Sequence, residues 1–314
     1  MGRQRKRKGD PVHGWLAVDK PVDVTSTQVV GILKRLFNAQ KAGHGGTLDP
    51  LADGILPIAF GEATKTAQWA MDCDKEYVFT IEWGTSTASQ DKEGEVIATS
   101  DRRPMPAEIE AALPRFIGDI QQVPPKFSAI KIDGARAYDL ARDGEAFELP
   151  SREVTVYEAE IADIPDADHV TLRVVSGKGF YVRAMARDLA QALGADGHVS
   201  QLRRTRVGAL DEESAMSLAE LEALVEDKEA LFKSLKVIET VLDDVPVIEI
   251  EPSDAAALKQ GREIVLLPHQ VEHWRAETDS DPDNRLALTR TDGKAIALGE
   301  VRAGRFQPKK VFQL

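Results

Sequence analysis

Short apolar runs separated by polar turns recur along the chain, and their spacing predicts a mixture of strands and helices. Runs rich in β-branched and aromatic residues predict strands over residues 15–18, 55–60, 77–83, 127–132, 154–157 and 170–175. The last two runs alternate between apolar and polar positions, as antiparallel strands do when one face is buried. Apolar positions three and four apart predict helices over residues 26–37, 62–71, 108–116, 135–142, 181–193 and 217–225.

Turn-forming residues set the limits of these elements. Thr25 or Ser26 is placed to cap the first helix, and Gly194 is placed to end the helix over residues 181–193. Residues 38–54 carry four glycines and one proline, which predicts a loop. Mixed strands and helices, without a regular strand–helix alternation, predict an α+β fold.

The pattern changes near residue 245, which predicts a domain boundary there. Beyond this boundary the pattern predicts a helix over residues 253–259 and strands over 264–267, 286–289 and 295–302. We therefore expect a basic disordered tail at 1–10, a main domain at 11–245 and a β-rich C-terminal domain at 246–314. A chain of 314 residues suits two such domains.

Composition excludes several protein classes. Hydrophobic residues make up 42% and charged residues 29% of the chain, as in an ordinary globular protein. No apolar run approaches the ~20 residues that span a bilayer, which excludes a membrane protein. Cys73 is the single cysteine, so a disulfide framework and a thiolate zinc cage are excluded. The basic N-terminus lacks the apolar core of a secretory signal, and we expect a cytoplasmic protein.

Charge is unevenly distributed, although the net charge is −12. Seven basic and two acidic residues lie between Arg173 and Arg206, whereas residues 207–260 hold fourteen acidic and four basic residues. The Debye length of about 8 Å screens the distant acidic surface, so a ligand responds to the local charge. A nucleic-acid partner therefore remains compatible with this composition.

The densest chemical signal is the segment 43–54, Gly-His-Gly-Gly-Thr-Leu-Asp-Pro-Leu-Ala-Asp-Gly. Its glycines allow the backbone to approach a ligand closely, and Pro50 holds Asp49 in an extended conformation. A carboxylate presented in this way can act as a nucleophile, a base or a metal ligand. The alternative is an ordinary solvated turn, and the pattern alone does not decide between them.

Other familiar motifs are absent or match by count alone. The glycines lack the third position and the following helix of a dinucleotide fingerprint, and no Walker A sequence occurs. His269 and His273 lie four residues apart without further metal ligands. Ser128 and Lys131 have the spacing of a hydrolase tetrad, which a chance match in a strand explains better.

A second cluster covers residues 177–188, Gly-Lys-Gly-Phe-Tyr-Val-Arg-Ala-Met-Ala-Arg-Asp. Arg183 lies early in a predicted helix, where the helix dipole disfavours a cation, so a partner carboxylate such as Asp49 is expected. The alternative is a solvent-exposed arginine. Tyr181 beside basic residues suits a nucleic-acid base stacked near a phosphate.

These segments together resemble the TruB family of tRNA pseudouridine synthases. The resemblance covers residues 14–208, and its segments occur in the family's order. They are the catalytic segment 43–54, the strand and turn at 14–21, the tyrosine motif at 75–77, an RNA-gripping insertion at about 102–152 that includes 124–131 and 134–138, and the arginine motif at 179–183 with its following strand at 202–208.

The resemblance implies a pseudouridine-synthase fold, a mixed and largely antiparallel sheet with flanking helices, followed by a PUA-like RNA-binding domain. It implies isomerisation of the uridine at position 55 in the T-loop of tRNA, with no cofactor, no metal and no obligate protein partner, by a monomer. Asp49 is then the catalytic carboxylate, which attacks C1′, attacks C6 of uracil or removes a ribose proton. Arg183 is its ionic partner.

Further roles follow from the same resemblance. Tyr77 stacks on the target uracil, Tyr181 and Leu202 line the uracil pocket, and His44 fills the space that a flipped nucleotide leaves. For Tyr77 and Leu202 the alternative is a core position. Candidate phosphate contacts are Lys20, Lys65, Arg142, Arg203, Arg204 and Arg206.

Two other function classes compete with this interpretation. A nucleotidyl-transferring or hydrolytic enzyme with a phosphate-binding loop at residues 43–46 requires nucleotide and Mg²⁺. An RNA chaperone that refolds the tRNA elbow requires neither, and no catalysis. Neutralising Asp49 separates these classes, because only an isomerase loses its reaction while it keeps its affinity for RNA.

Overall fold

The computed structural model describes residues 9–128, 130–132, 135–136, 147–278 and 285–314. Three sequence predictions fall outside these ranges: the basic tail over residues 1–8, most of the helix over 135–142, and the phosphate contact of Arg142. None of the helices in the described ranges is long and apolar enough to cross a membrane.

The strands of the N-terminal part, in chain order, are β1 (Gly14–Lys20), β2 (Ala42–His44), β3 (Asp53–Phe60), β4 (Lys75–Trp83), β5 (Thr85–Thr87), β6 (Val96–Thr99), β7 (Gly118–Gln122), β8 (Lys131–Ile132), β9 (Ala135–Arg136), β10 (Arg152–Asp166), β11 (His169–Ser176), β12 (Gly197–Val207), β13 (Leu210–Asp211) and β14 (Met216–Ser217). The C-terminal strands are β15 (Val247–Glu249), β16 (Ile264–Val265), β17 (Leu286–Thr291), β18 (Lys294–Arg302) and β19 (Arg305–Val311).

The α-helices are α1 (Ser26–Leu36), α2 (Ala67–Asp72), α3 (Pro106–Ala112), α4 (Val182–Ala192), α5 (Leu218–Ala223), α6 (Lys228–Lys233), α7 (Pro252–Lys259) and α8 (Pro268–Thr278). Short 3₁₀ helices cover Gly61–Thr66, Leu113–Phe116 and Ile238–Val241. Thr25 caps α1 with its hydroxyl, and Gln28 returns the bond to the backbone of Thr25, which completes a capping box.

One large mixed sheet forms the centre of the molecule, in the order β14-β1-β3-β12-β4-β11-β10-β7, with β2 paired to β3 and β13 paired to β12. The pairs β1–β14 and β3–β12 are parallel and the others are antiparallel. The predicted α+β class and largely antiparallel sheet are therefore confirmed.

Each side of the central strands has its own hydrophobic core. On one side, Val29 and Leu33 of α1 and Met185 and Leu189 of α4 pack into the cluster that contains Phe79 of β4. On the other side, a cluster formed by residues such as Trp15, Ile55 and Ala59 also holds Leu298 and Phe312 of the C-terminal part.

The C-terminal part forms a separate sheet in the order β15-β17-β18-β19-β16. This sheet lies within residues 246–314, the range expected for the second domain. It rests on the first domain through the buried ring of Phe312 and through Glu62, which accepts a hydrogen bond from the backbone of Gln313 at 2.8 Å. The PUA-like character of this domain stays a prediction.

Several local predictions need correction. Residues 126–128 form a bend, and only Lys131–Ile132 belong to a strand; Ala135–Arg136 pair with them instead of starting a helix. Pro124 and Pro125 precede this segment, and proline lacks the N–H that a strand ladder needs. The predicted helix over 62–71 is a 3₁₀ helix followed by α2, and α8 was not predicted at all.

Candidate active site

The loop over residues 45–52 connects β2 to β3 and presents Asp49. Its backbone is bound to the protein on both sides. Gly45 donates its N–H to Pro57 at 2.8 Å, and Arg204 of β12 donates to the carbonyls of Gly46 at 3.1 Å and Thr47 at 3.4 Å. Such a loop is preorganised, since its backbone groups already have partners before any substrate binds.

The glycines of this segment serve the packing of the protein itself. A Cβ at Gly45 would lie 2.6 Å from Cβ of Ala70, and a Cβ at Gly54 would lie 2.2 Å from the carbonyl oxygen of Arg204. Gly54 also has a φ of 94°, a conformation that favours glycine. At both positions the fold itself requires glycine, and the close approach of a ligand stays a prediction.

Asp49 and Arg183 form the ion pair that the sequence chemistry predicted. Nη2 of Arg183 lies 2.7 Å from Oδ2 of Asp49. The Arg183 side chain is 7% exposed, whereas that of Asp49 is 38% exposed. The guanidinium is thus fixed inside the protein, and the carboxylate it holds remains accessible to a substrate.

Asp91 is a second carboxylate on the same guanidinium, and the sequence interpretation missed it. Its Oδ2 lies 3.2 Å from Nη1 of Arg183, and its side chain is 4% exposed. Arg183 also donates to the carbonyls of Ser89 at 3.0 Å and Phe127 at 2.9 Å. Nothing in the turn over residues 88–94 distinguishes Asp91 from the many other acidic residues of this chain.

Tyr181 stands at the N-terminus of α4, two residues before Arg183. Its backbone N–H donates to Oε1 of Gln122 at 2.8 Å, and Nε2 of Gln122 donates back to its carbonyl at 3.2 Å. Gln122 is a further residue that the sequence did not reveal. Burial raises the pKa of Tyr181, and the charges of Arg152 and Asp49 act on it in opposite directions.

Tyr77 lies on β4 and Leu202 on β12, in adjacent antiparallel strands. Tyr77 is paired with Arg204 in register, and its hydroxyl opposes the lowering of the pKa of Arg204 by burial. Its ring centroid lies 6.3 Å from that of Phe180. Leu202 is buried and pairs with Phe79 in register, within the same core cluster that Tyr77 contacts.

His44 ends β2, immediately before the loop that carries Asp49. The side chain is half-buried, and its Nδ1 has no hydrogen-bond partner among the described residues. Burial lowers the pKa of His44, and the nearby charge of Arg204 lowers it further. His44 is therefore neutral near pH 7.

Two lysines among the predicted phosphate contacts are engaged within the protein. Lys20 is fully buried and donates to the carbonyls of Pro21, Val24 and Pro50 at 2.8–3.3 Å. Burial lowers the pKa of Lys20, although Asp53 and Asp49 oppose the shift. Lys65 donates to Glu62 and to the carbonyl of Val311.

Arg204, which is also fully buried, donates to the carbonyl of Ile55 at 2.8 Å in addition to the loop. Arg203 pairs with Asp19 at 3.0 Å and with Glu212 at 2.6 Å. These two arginines are therefore engaged within the protein. Arg206 donates to the carbonyl of Gly208 at 3.4 Å and remains half-exposed.

The described residues contain no group of three or more His, Cys, Asp and Glu side chains arranged to hold a metal ion. His273 is paired with Glu277 at 3.0 Å on the C-terminal helix α8, away from Asp49. The site around Asp49 instead offers one accessible carboxylate, a fixed cation and two tyrosines. This arrangement suits attack on, or proton removal from, a ring-shaped substrate held against an aromatic wall.

Sequence comparison assigns residues 34–243 of this chain to one family. Residues 34–182 match the family described as TruB family pseudouridylate synthase (N terminal domain), and residues 183–243 match the tRNA pseudouridylate synthase B C-terminal domain. The tRNA pseudouridine synthase B of Caulobacter vibrioides is 56% identical over 99% of both chains. The protein of the same name from Bradyrhizobium diazoefficiens is 46% identical and is covered over 89% of its length.

Solved structures show the same fold. A chain in the crystal structure of a Cbf5-Nop10-Gar1 complex superimposes with a TM-score of 0.71 and 26% identity, over 96% of this chain and 85% of that chain. A chain in the structure of an H/ACA RNP bound to a substrate RNA containing 2′-deoxyuridine gives the same TM-score at 24% identity, over 99% of this chain and 92% of that one.

Proposed function

The chain belongs to the TruB family of pseudouridylate synthases, and from that premise we propose that it converts the uridine at position 55, in the T-loop of tRNA, to pseudouridine. As a pseudouridine synthase it is an isomerase, and tRNA is the substrate of the relatives that share its whole length. The pairing of accessible Asp49 with buried Arg183 is the observation that carries the proposal for this chain.

The reaction rearranges uridine without a net change in composition. The bond between C1′ and N1 breaks, and the detached uracil turns and bonds to C1′ through C5. C5 loses a proton and N1 gains one, so atoms and charge balance and no co-reactant is consumed. Asp49 is the catalytic carboxylate of this scheme. Arg183 holds this carboxylate in place, since Nη2 of Arg183 lies 2.7 Å from Oδ2 of Asp49 and a charge-assisted hydrogen bond of this kind fixes the orientation of both groups.

The neighbouring side chains suit a nucleotide that has left its stack. Tyr77 and Tyr181 provide the aromatic surface on which a flipped uracil stacks, and buried Leu202 closes the pocket behind it. Neutral His44 occupies the vacated position in the RNA. Flipping costs a few kcal/mol of stacking, and a ring that replaces the lost contact offsets part of that cost.

Exposed cations near this site supply the phosphate contacts. Lys126 and Arg152 have exposed side chains, and Arg152 is close enough to Tyr181 to influence its pKa. Nζ of Lys178, whose side chain is 70% exposed, lies 3.4 Å from Oδ1 of Asp72. These residues replace Lys20 and Arg204 as candidates, because a buried ammonium or guanidinium cannot reach an RNA backbone. They also replace Lys65, whose ammonium is already bound to Glu62 and to the carbonyl of Val311.

Tritium release tests this proposal. A T-arm stem-loop RNA labelled at C5 of uridine is incubated with the protein at pH 7.5, without nucleotide or metal, and the tritium that enters water is counted. We expect release by the native chain and its loss in Asp49→Asn, with RNA affinity kept within a few fold. Asp53→Asn is the matched control, because Asp53 lies in the same segment but contacts Arg203 at 3.5 Å instead of Arg183.

The competing function is an RNA chaperone. Tight binding of the stem-loop by the native chain without tritium release would support that function and refute the isomerase. Loss of both binding and release in Asp49→Asn would indicate a folding defect or a different role for Asp49.

A further inference from the structure

Ser26 makes an unusual contact with the residue that precedes Asp49. Its hydroxyl donates to the carbonyl of Leu48 at 3.0 Å and accepts from the N–H of Leu48 at 2.9 Å. Both polar groups of one loop residue are thus satisfied by one side chain. Ser26 is 3% exposed and Leu48 is equally buried, so no water competes for these bonds.

The helix that carries Ser26 does not need this hydroxyl. Thr25 is the N-cap, accepts from the N–H of Gln28 at 3.2 Å and forms the capping box. Ser26 is the first residue of α1, and an apolar residue would serve the helix equally well. A buried hydroxyl at this position therefore has its use in the loop over residues 45–52.

The position of this contact determines what it controls. The carbonyl of Leu48 and the N–H of Asp49 belong to one rigid peptide plane, so a bond to that carbonyl orients the backbone of Asp49. On the other side of Asp49, the carbonyl of Pro50 accepts from the backbone N–H of Asp23 at 2.8 Å and from Lys20 at 3.3 Å. The segment 20–26 thus holds the loop immediately before and immediately after Asp49.

We propose that Ser26 is a positioning residue that fixes the backbone of Asp49 for the isomerisation, an inference that rests on the proposed function. Arg183 holds only the carboxylate end of Asp49, and this contact leaves the backbone of Asp49 unconstrained. The Ser26 contact fixes the other end. Without it, the peptide before Asp49 reorients to find water or another partner, and the carboxylate moves relative to the uridine.

Two alanine variants in adjacent positions test this role. Ser26→Ala removes both bonds to Leu48 and leaves the cap of α1 intact. Thr25→Ala removes the cap of the same helix and leaves the loop bonds intact, so it is the matched control for lost stability. Displacements near 1 Å lower rates by about 100-fold. We expect a single-turnover rate of tritium release 10- to 100-fold below native for Ser26→Ala and within twofold for Thr25→Ala.

The dissociation constant for the stem-loop RNA separates positioning from general damage. Both variants are measured well below their unfolding temperatures, and we expect RNA affinity within threefold of native in each. Equal rates for the two variants would overturn the inference, and so would a parallel loss of rate and affinity in Ser26→Ala. If Ser26 only stabilised the fold, one of these two outcomes would be observed.

Hydrogen exchange provides a readout that does not depend on the reaction. Without RNA, we expect faster exchange over residues 45–52 in Ser26→Ala and faster exchange at the start of α1 in Thr25→Ala. Unchanged protection of the loop in Ser26→Ala would overturn the inference even if the native chain released no tritium. A native chain that is inactive but shows the expected exchange pattern would instead refute the proposed function, with the loop contact upheld.

Discussion

Replacing Gly54 by alanine should disrupt the junction between the loop over residues 45–52 and the sheet. Gly54 has a φ of 94° and pairs in parallel with Arg204 of β12. The added Cβ would lie 2.2 Å from the carbonyl oxygen and 2.9 Å from the nitrogen of Arg204. Both atoms belong to the backbone, so rotation of a side chain cannot relieve the overlap.

The cost has two parts. An L-residue in a left-handed conformation costs roughly 1–2 kcal/mol. Ordinary van der Waals contact begins at 3.4 Å, so β3 and β12 must separate by about 1 Å to accept the added Cβ. These strands are paired at two positions, Asp53–Arg203 and Gly54–Arg204, and the separation affects both. A shift of that size weakens the buried bonds of Arg204 to the loop, each worth ~1–3 kcal/mol when a buried donor is left unsatisfied. We expect a total loss of about 3–5 kcal/mol.

Gly43→Ala is the matched control, because its Cβ would have no atom within 4 Å and its φ is not positive. Urea unfolding measures both variants, and the change in free energy follows from the midpoints if the slopes agree. We expect Gly43→Ala within ~0.5 kcal/mol of native, as for an unstrained surface change. Unfolding free energies for the two variants that agree within ~1 kcal/mol would refute the packing role of Gly54.

Three further predictions concern charge. Asp91 helps to hold the guanidinium that binds Asp49, so we expect the single-turnover rate of Asp91→Asn to fall about tenfold with RNA affinity unchanged. A native rate in this variant would show that Asp91 is not needed to hold Arg183 in place. The pKa of His44 is lowered in the folded protein, so the unfolded chain binds more protons than the folded one just below pH 6.5. The free energy of unfolding should therefore fall between pH 7.5 and 5.5, and it should fall by less in His44→Gln. Equal decreases in the two proteins would exclude His44 as the cause. Deleting residues 1–8 removes five cations, which should flatten the slope of log affinity against log salt by up to ~0.7–0.9 for each lost phosphate contact; an unchanged slope would show that the tail does not touch RNA.

The sequence predicted elements and pairings where local chemistry is sufficient. The capped helix after Thr25, the strands around Ile55 and Phe79, and the helix that begins near Tyr181 all follow from local pattern, and the structure has them. The ion pair between Asp49 and Arg183 was predictable as well, because a cation early in a helix needs a nearby anion.

The roles of buried cations were not predictable in this way. From the sequence, Lys20 and Arg204 were predicted to bind phosphate. The sequence does not show whether a basic residue near Asp49 contacts RNA or a backbone carbonyl of the protein itself. Their partners, Pro50 for Lys20 and Ile55 for Arg204, lie 30 and 149 residues away along the chain. Only the strand order brings these partners together, and Asp91 and Gln122 were missed for the same reason.

That strand order also explains how separate sequence segments form one site. β1, β3, β12 and β4 are neighbours in the central sheet, although β12 follows β3 by more than a hundred residues. β1 ends at Lys20, which binds the carbonyl of Pro50, and β3 begins directly after the loop. β12 brings Arg204 to the carbonyl of Gly46 in that loop, and β4 places Tyr77 opposite Arg204. Since each strand fixes its neighbour by backbone bonds, Asp49 is positioned by the rigid centre of the sheet, and its carboxylate stays accessible from solvent.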